Sequence, residues 1–372
     1  MSNTTVKAII DLFEQWVPLH YAEPWDNVGL LVGDRTMQVD KLMITLDVTE
    51  EVVDEALKNN VNMIIAHHPL IFEGLKAINL TNFKGKIIQK LIKHDIAVYA
   101  AHTNLDIVSG GVNDLLAEKI GLENSKVLHP MIEEKLYKLV IYVPSSHTDV
   151  IVEELGESGA GFIGNYSHCT FRTNGTGTFK PLEGTNPYIG KAGFVERVAE
   201  DKIETLVKES QLHTIISKIE SVHPYEEMAY DVFQLKNTGT SLGLGRIGTL
   251  NQSCTLDELL EIVKKAFHVN SVRFVGDRNT TITTVAILGG SGKSYINDAI
   301  KKGADCFITG DLSFHEAQDA LAQGITLIDP GHHIEEVMKE GVKKYFEDKM
   351  AILPSPIQVI TSELSTDPFQ YS

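Results

Sequence analysis

Residues 41–72, "KLMITLDVTEEVVDEALKNNVNMIIAHHPLIF", decide the fold. The stretch opens on an apolar strand, passes through a short polar turn into an amphipathic helix, and ends in a second strand. Residues 61–66 of that second strand are apolar apart from Asn62, with Val61, Ile64 and Ile65 β-branched, as expected of a strand covered on both faces. His67 and His68 follow at its carboxyl end, and Pro69 stops the ladder. Taken alone, the pair is also compatible with an ordinary strand end carrying one hydrogen-bonded and one solvated histidine.

A second stretch, "TTVAILGGSGKSYINDAIKKGADCFITGDLSFHEA" at 283–317, has the same order of strand, turn, helix and strand. Each stretch is followed by a further helix and strand, "HDIAVYAAHTNLD" at 94–106 and "QGITLIDPGHHIEE" at 323–336. Strands alternating with helices predict α/β architecture with a largely parallel sheet, built as two pseudo-repeated halves. Ligands of such folds bind outside the carboxyl ends of strands. Here those ends carry "AHHP", "AHTNLD", "TGDLSFH" and "GHHIEE".

Between the halves, 133–236 reads differently. "YKLVIYVPSSHTDVIVEELGES" predicts strand and helix, and "FIGNYSHCTFRTNGTGTFKPL" a hairpin turning at Asn174-Gly175. "AGFVERVAEDKIETLVKESQLHTIISKIESV" adds strand, helix and strand. The order predicts an inserted ferredoxin-like α+β domain, with "KNTGTSLGLGRIG" as the return linker. The expected organisation is 1–132 and 237–372 for the core, and 133–236 for the insert.

The 372 residues, 43% of them hydrophobic, suit more than one soluble domain. The N-terminus lacks the basic and apolar regions of a signal peptide, and no apolar run is long enough to span a bilayer. Three cysteines without metal or redox spacing read as free thiols in a reducing cytoplasm. A formal net charge of −17 repels phosphate backbones and argues against nucleic acid as the main ligand.

Imidazole and carboxylate together suit a divalent metal, and His67, His68, Asp106, His332 and Glu336 supply both. "HHIEE" reads as a helix start with His332 and Glu336 at i and i+4 on one face. His102 and Asp106 have the same spacing. Such a donor set exceeds one tetrahedral ion and suggests two, bridged by a carboxylate. Either pair alone also fits a capped helix start. Asp311 and His315, four apart in "TGDLSFHEA", read as a general acid/base or as partners orienting a ligand, with an Asp311 helix cap as the alternative. "LGGSGKS" at 288–294 lacks the first glycine of a Walker A loop, because Ile287 stands there; a tight turn or an anion-holding turn remains.

"EPWDNVGLLVG" at 23–33, "IIAHHPLIF", "YAAHTNLD", "GGSGKS", "ITGDLSFHEA" and "DPGHHIEE" together resemble, in order and over nearly the whole chain, the GTP cyclohydrolase 1 type 2 homologues, or Nif-three-like proteins. "HPYEEMAYDV" at 223–232 also resembles a family motif, with Met228 where a proline is expected. The resemblance implies a dinuclear centre ligated by His67, His68, Asp106, His332 and Glu336, with zinc first and iron or manganese also compatible. It further implies a PII-like or CutA-like insert and a toroidal homohexamer with its metal sites facing an inner cavity. The implied activity is metal-dependent hydrolysis of a small molecule or nucleotide, such as opening of the GTP guanine ring with loss of formate. A non-catalytic metal-binding or metallochaperone scaffold, whose insert senses a ligand or partner, needs the same residues.

Overall fold

The computed structural model describes residues 3–370, which divide into two compact units. One comprises Met1–Met131 and Leu242–Ser372 and the other Ile132–Ser241. Among the described residues no helix is long and apolar enough to cross a membrane.

The first unit is mixed α/β, with its parallel strands divided between two sheets. In one, Ala97–Ala100, Met63–Ala66, Lys41–Thr45 and Gln358–Thr361 run parallel, and Gly29–Val32 closes one edge antiparallel. In the other, Thr281–Ser291, Cys306–Gly310 and Thr326–Asp329 run parallel. Arg273–Val275 and the later part of Tyr230–Thr255 flank this triplet antiparallel. Each half thus supplies three adjacent parallel strands joined by helices, the pseudo-repeat expected from sequence.

Alternation along the strands sets the layers. Leu42, Ile44, Met63, Ile65, Ala97 and Tyr99 face the main core, whereas Met43, Ile64, Ala66 and Val98 face a second cluster under the helices Glu50–Lys58 and Phe83–Lys93. Val285, Ile287, Cys306, Ile308 and Ile328 of the second sheet enter the same main core. Helix starts follow local chemistry. The Thr49 hydroxyl accepts from Val52 N–H ahead of Glu50 and Glu51, and Thr255 with Glu258 forms a capping box.

The second unit has its own core of Leu139, Ile141, Val143, Ile151, Leu155, Ile203, Ile215 and Ile219. It follows the order strand, helix, strand, strand, helix, strand, with Thr170–Phe179 beside Glu196–Lys208 and the latter beside Leu122–Pro144. Two sequence expectations change here. Asn174-Gly175 is not the hairpin turn: both residues pair within the ladder, opposite Asp201 and Glu200, and residues 180–195 make the connection. Nor is "KNTGTSLGLGRIG" a linker, since it lies inside the strand Tyr230–Thr255. Its glycines permit close approach, because a Cβ on Gly239 would stand 2.0 Å from the Glu134 carbonyl and one on Gly243 2.1 Å from that of His129.

Candidate metal centre

Four strand ends of the first unit supply the site. Met63–Ala66 leads into His67 and His68, Ala97–Ala100 into His102 and Asp106, Cys306–Gly310 into Asp311, and Thr326–Asp329 into His332 and Glu335. After Ala100 the chain turns at once into the short helix Thr103–Ile107, whose first bond, Asp106 N–H to His102 C=O at 3.1 Å, puts those two residues on one turn.

Three overlapping triplets hold donor atoms within 4.8 Å of one another: His67, Asp106 and Glu335; His68, His332 and Glu335; and His67, His68 and His102. Glu335 is common to two of them. Its Oε2 lies 3.1 Å from His68 Nε2, 3.2 Å from His332 Nε2 and 3.7 Å from His67 Nε2.

Each imidazole is held from behind through Nδ1 and aims Nε2 inward. His67 Nδ1 donates to the Ala101 carbonyl at 2.8 Å, His68 Nδ1 to Asp47 at 2.7 Å, His102 Nδ1 to Asp26 at 2.9 Å and His332 Nδ1 to Asp311 at 2.7 Å. Such bonds fix the tautomer and orientation of metal-ligating histidines and strengthen them as donors. Asp26 is itself secured by the Thr103 N–H and hydroxyl.

The cluster is not self-sufficient. His67 Nε2 and Asp106 Oδ1 are buried without a hydrogen-bond partner, and at 3.6 Å from each other they are too far apart to bond. Leaving such groups unpaired is costly, and a cation between them satisfies both. The residues fit a divalent ion. Charges respond to the same deficit. Burial pushes the Asp106 carboxyl up to about 6. Burial would also raise Glu335, but His332 and the other surrounding imidazoles hold it well below the usual carboxylate range. Burial disfavours protonated His68, yet the Asp47 and Glu335 carboxylates push it up to about 10; Glu335 first, then Asp311, raises His332 to about 9.

The structure brings His67, His68, Asp106 and His332 together, but not Glu336. That carboxylate pairs with Lys339 at 3.0 Å, and Glu335 faces the cluster instead. The reason is helical pitch: His332–Val337 is a 3-10 helix, in which i and i+3 eclipse, so the i+4 rule picks the wrong neighbour. Asp311 acts on His332 and caps no helix; Ser313 and Glu316 form the capping box of Phe314–Gln323. Asp311 therefore lies outside the helix that carries His315, and exposed His315 has its ring contact with Phe314. The "LGGSGKS" run also finds a packing role. A Cβ on Gly289 or Gly290 would come within 2.9 or 2.7 Å of Glu335 Oε1, so these glycines make room for that carboxylate. Sequence reading missed Asp26, Asp47 and Glu335, although Asp47 follows the strand Lys41–Thr45 at the same kind of position as the others.

A family profile described as Duf34/NIF3 (NGG1p interacting factor 3) matches residues 4–368. The chain belongs to the Duf34/NIF3 family. Among its NIF3 relatives is a protein of Halalkalibacterium halodurans named GTP cyclohydrolase 1 type 2 homolog, 49% identical over 365 residues and covering 98% of each chain. A Bacillus subtilis protein of the same name is 46% identical, covering 98% of this chain and 97% of its own. The crystal structure of a Bacillus cereus protein related to NIF3 superposes over 100% of both chains, with a TM-score of 0.92 at 48% identity.

Proposed function

We propose that the cluster is a dinuclear divalent-metal centre, with zinc the first choice and iron or manganese compatible with its mixed N/O donors, and that it serves hydrolysis of a small molecule. The orphaned pair, His67 Nε2 and Asp106 Oδ1, carries the metal reading. One ion would be held by His67, Asp106 and Glu335 and the other by His68, His332 and Glu335, with His102 beside the first two histidines. Bound ions would supply Lewis acidity and a water acidified toward neutrality. Three protein donors per ion would leave positions open, as in catalytic rather than structural sites.

The chain's own groups supply the remainder. Burial of Asp106 and Glu335 excludes water from the inner face, and the half-exposed His332–Asp311 pair stands where a proton can pass between site and solvent. A cavity of about 850 Å³, with His68, His332 and Asp311 in its wall, is large enough for a nucleotide-sized molecule. The relatives' name makes GTP one compound to test. A toroidal homohexamer in the cytoplasm completes the reading, and light scattering at the mass of six chains checks the assembly.

The deciding assay offers GTP, other nucleotides and phosphoesters to the zinc-loaded protein, with Glu335→Gln as control. Turnover that vanishes in the variant supports hydrolysis. Turnover that persists assigns it to another site or a contaminant, and absence of turnover across the panel favours the metal-binding scaffold.

A further inference from the structure

The carboxylate of Asp47 is engaged on both sides. Its Oδ1 accepts from His68 Nδ1 at 2.7 Å, and its Oδ2 accepts from the hydroxyl of Thr366, far along the chain. Thr366 belongs to the tail that follows the strand Gln358–Thr361, and that tail is fastened before it reaches the centre. Ser362 N–H donates to the Ile44 carbonyl at 2.8 Å, Glu363 N–H to Glu55 at 2.9 Å, and Lys339 Nζ to the Ser362 carbonyl at 3.3 Å. Ser362 is 2% exposed. Beyond Thr366, Asp367–Gln370 line one side of the cavity whose wall includes Asp47, His68, Asp311 and His332.

We propose that Thr366 is a positioning residue for the metal centre: its hydroxyl locks Asp47 so that His68 aims Nε2 at the ion site it would share with His332 and Glu335. The inference rests on the metal reading above. A carboxylate bonded through one oxygen can swing about its last torsion, whereas one bonded through both cannot. Threonine suits the task because branching at Cβ restricts its rotamers. The effect is selective. His67 is held by a backbone carbonyl and His332 by Asp311, so neither depends on Thr366.

The test titrates zinc into metal-stripped full-length protein against a chromophoric chelator, comparing wild type, Thr366→Val and Thr366→Ser. Valine keeps the shape and removes the hydroxyl; serine keeps the hydroxyl. Expected is a loss of about 3- to 10-fold in one of two stepwise zinc constants for the valine variant, at or below the low end of what removing a direct partner of a metal ligand costs, because Thr366 acts on His68 through Asp47. The other constant stays at the wild-type value, and the serine variant recovers most of the loss. Cobalt substitution should show a changed visible spectrum for the affected ion alone. Wild-type constants in Thr366→Val overturn the proposal while leaving the metal reading intact. Equal weakening of both constants, or no recovery with serine, marks a packing role and overturns it as well. Absence of zinc binding by wild type defeats both readings.

Discussion

Among the described residues, two places gather acids and histidines within metal-binding distance of one another. In the first unit they are the strand-end residues around Glu335; in the second they are Glu153, Glu157 and His168. The donor spacing is similar and the physics is opposite. Glu335 and His67 are buried, His67 Nε2 has no partner, and each imidazole there is braced by a carboxylate or carbonyl. In the second unit both glutamates are exposed, Glu157 stands 3.8 Å from His168, and His168 Nδ1 meets only the neighbouring Ser167 hydroxyl at 3.0 Å. Water and salt can satisfy the exposed trio, so no ion is needed to neutralise it. Burial without partners, together with bracing from behind, separates a metal site from a chance gathering of donors.

The largest effect should come from the shared carboxylate. Glu335→Gln is expected to remove both ions after dialysis, whereas Glu336→Gln, at a residue paired with Lys339, retains both. Elemental analysis of the two variants decides, and the reverse result would break the assignment. His67→Ala or Asp106→Ala comes next, with loss of at least one ion per chain. Full occupancy in both would show that the orphaned atoms are not ligands.

These contrasts also show which parts of the site could be read from sequence. Periodicity exposed the two βαβ halves, and strand ends located His67, His68, Asp106 and His332, because parallel α/β folds place their chemistry there. Glu335 was hidden because "HHIEE" does not announce a 3-10 turn. The roles of Asp26 and Asp47 were hidden because each depends on a partner distant in the chain, His102 and His68 respectively. The glycine pair Gly289-Gly290 was ambiguous for a similar reason: its meaning lies in the side chain of Glu335 packed against it.

A pH series sharpens the comparison further. In the metal-free protein His68 is pushed up to about 10 and His332 to about 9, so both are protonated at neutral pH and must lose a proton to bind an ion. Zinc binding at pH 7 should therefore release protons, measured by calorimetry in buffers of different ionisation enthalpy. Affinity should rise from pH 6 toward pH 9. The stability sign follows from the raised values. These histidines stabilise the metal-free fold fully below the unfolded pKa of about 6.5, and that contribution fades as pH climbs through about 9 and 10. The melting temperature of the metal-free protein should fall on the alkaline side more than that of the loaded protein. Equal alkaline slopes would contradict the cluster's electrostatics.

A smaller effect is expected at Gly290, where φ is +59° and an added Cβ would meet Glu335 and His332. Gly290→Ala should cost about 1–2 kcal/mol from the left-handed backbone alone, read by chemical denaturation, and should weaken zinc binding by displacing Glu335. Lost stability with unchanged zinc affinity would confine the glycine to a backbone role.

The smallest effect, and the strictest test of the comparison, lies in the second unit. His168→Ala with Glu157→Gln should leave metal content, zinc constants and melting temperature at wild-type values. The reasoning runs through solvation. His168 side chain is 38% exposed and that of Glu157 70%, so neither loses much hydration in the folded state. An exposed ion pair of this kind contributes roughly 0–1 kcal/mol, and at 3.8 Å this one sits at the weak end of contact. Gly156 packs beneath His168, since a Cβ there would stand 1.8 Å from the ring, which accounts for where the imidazole rests without invoking an ion. If the double variant instead lost an ion, donor proximity alone would be enough to bind metal, and burial would no longer distinguish the two clusters.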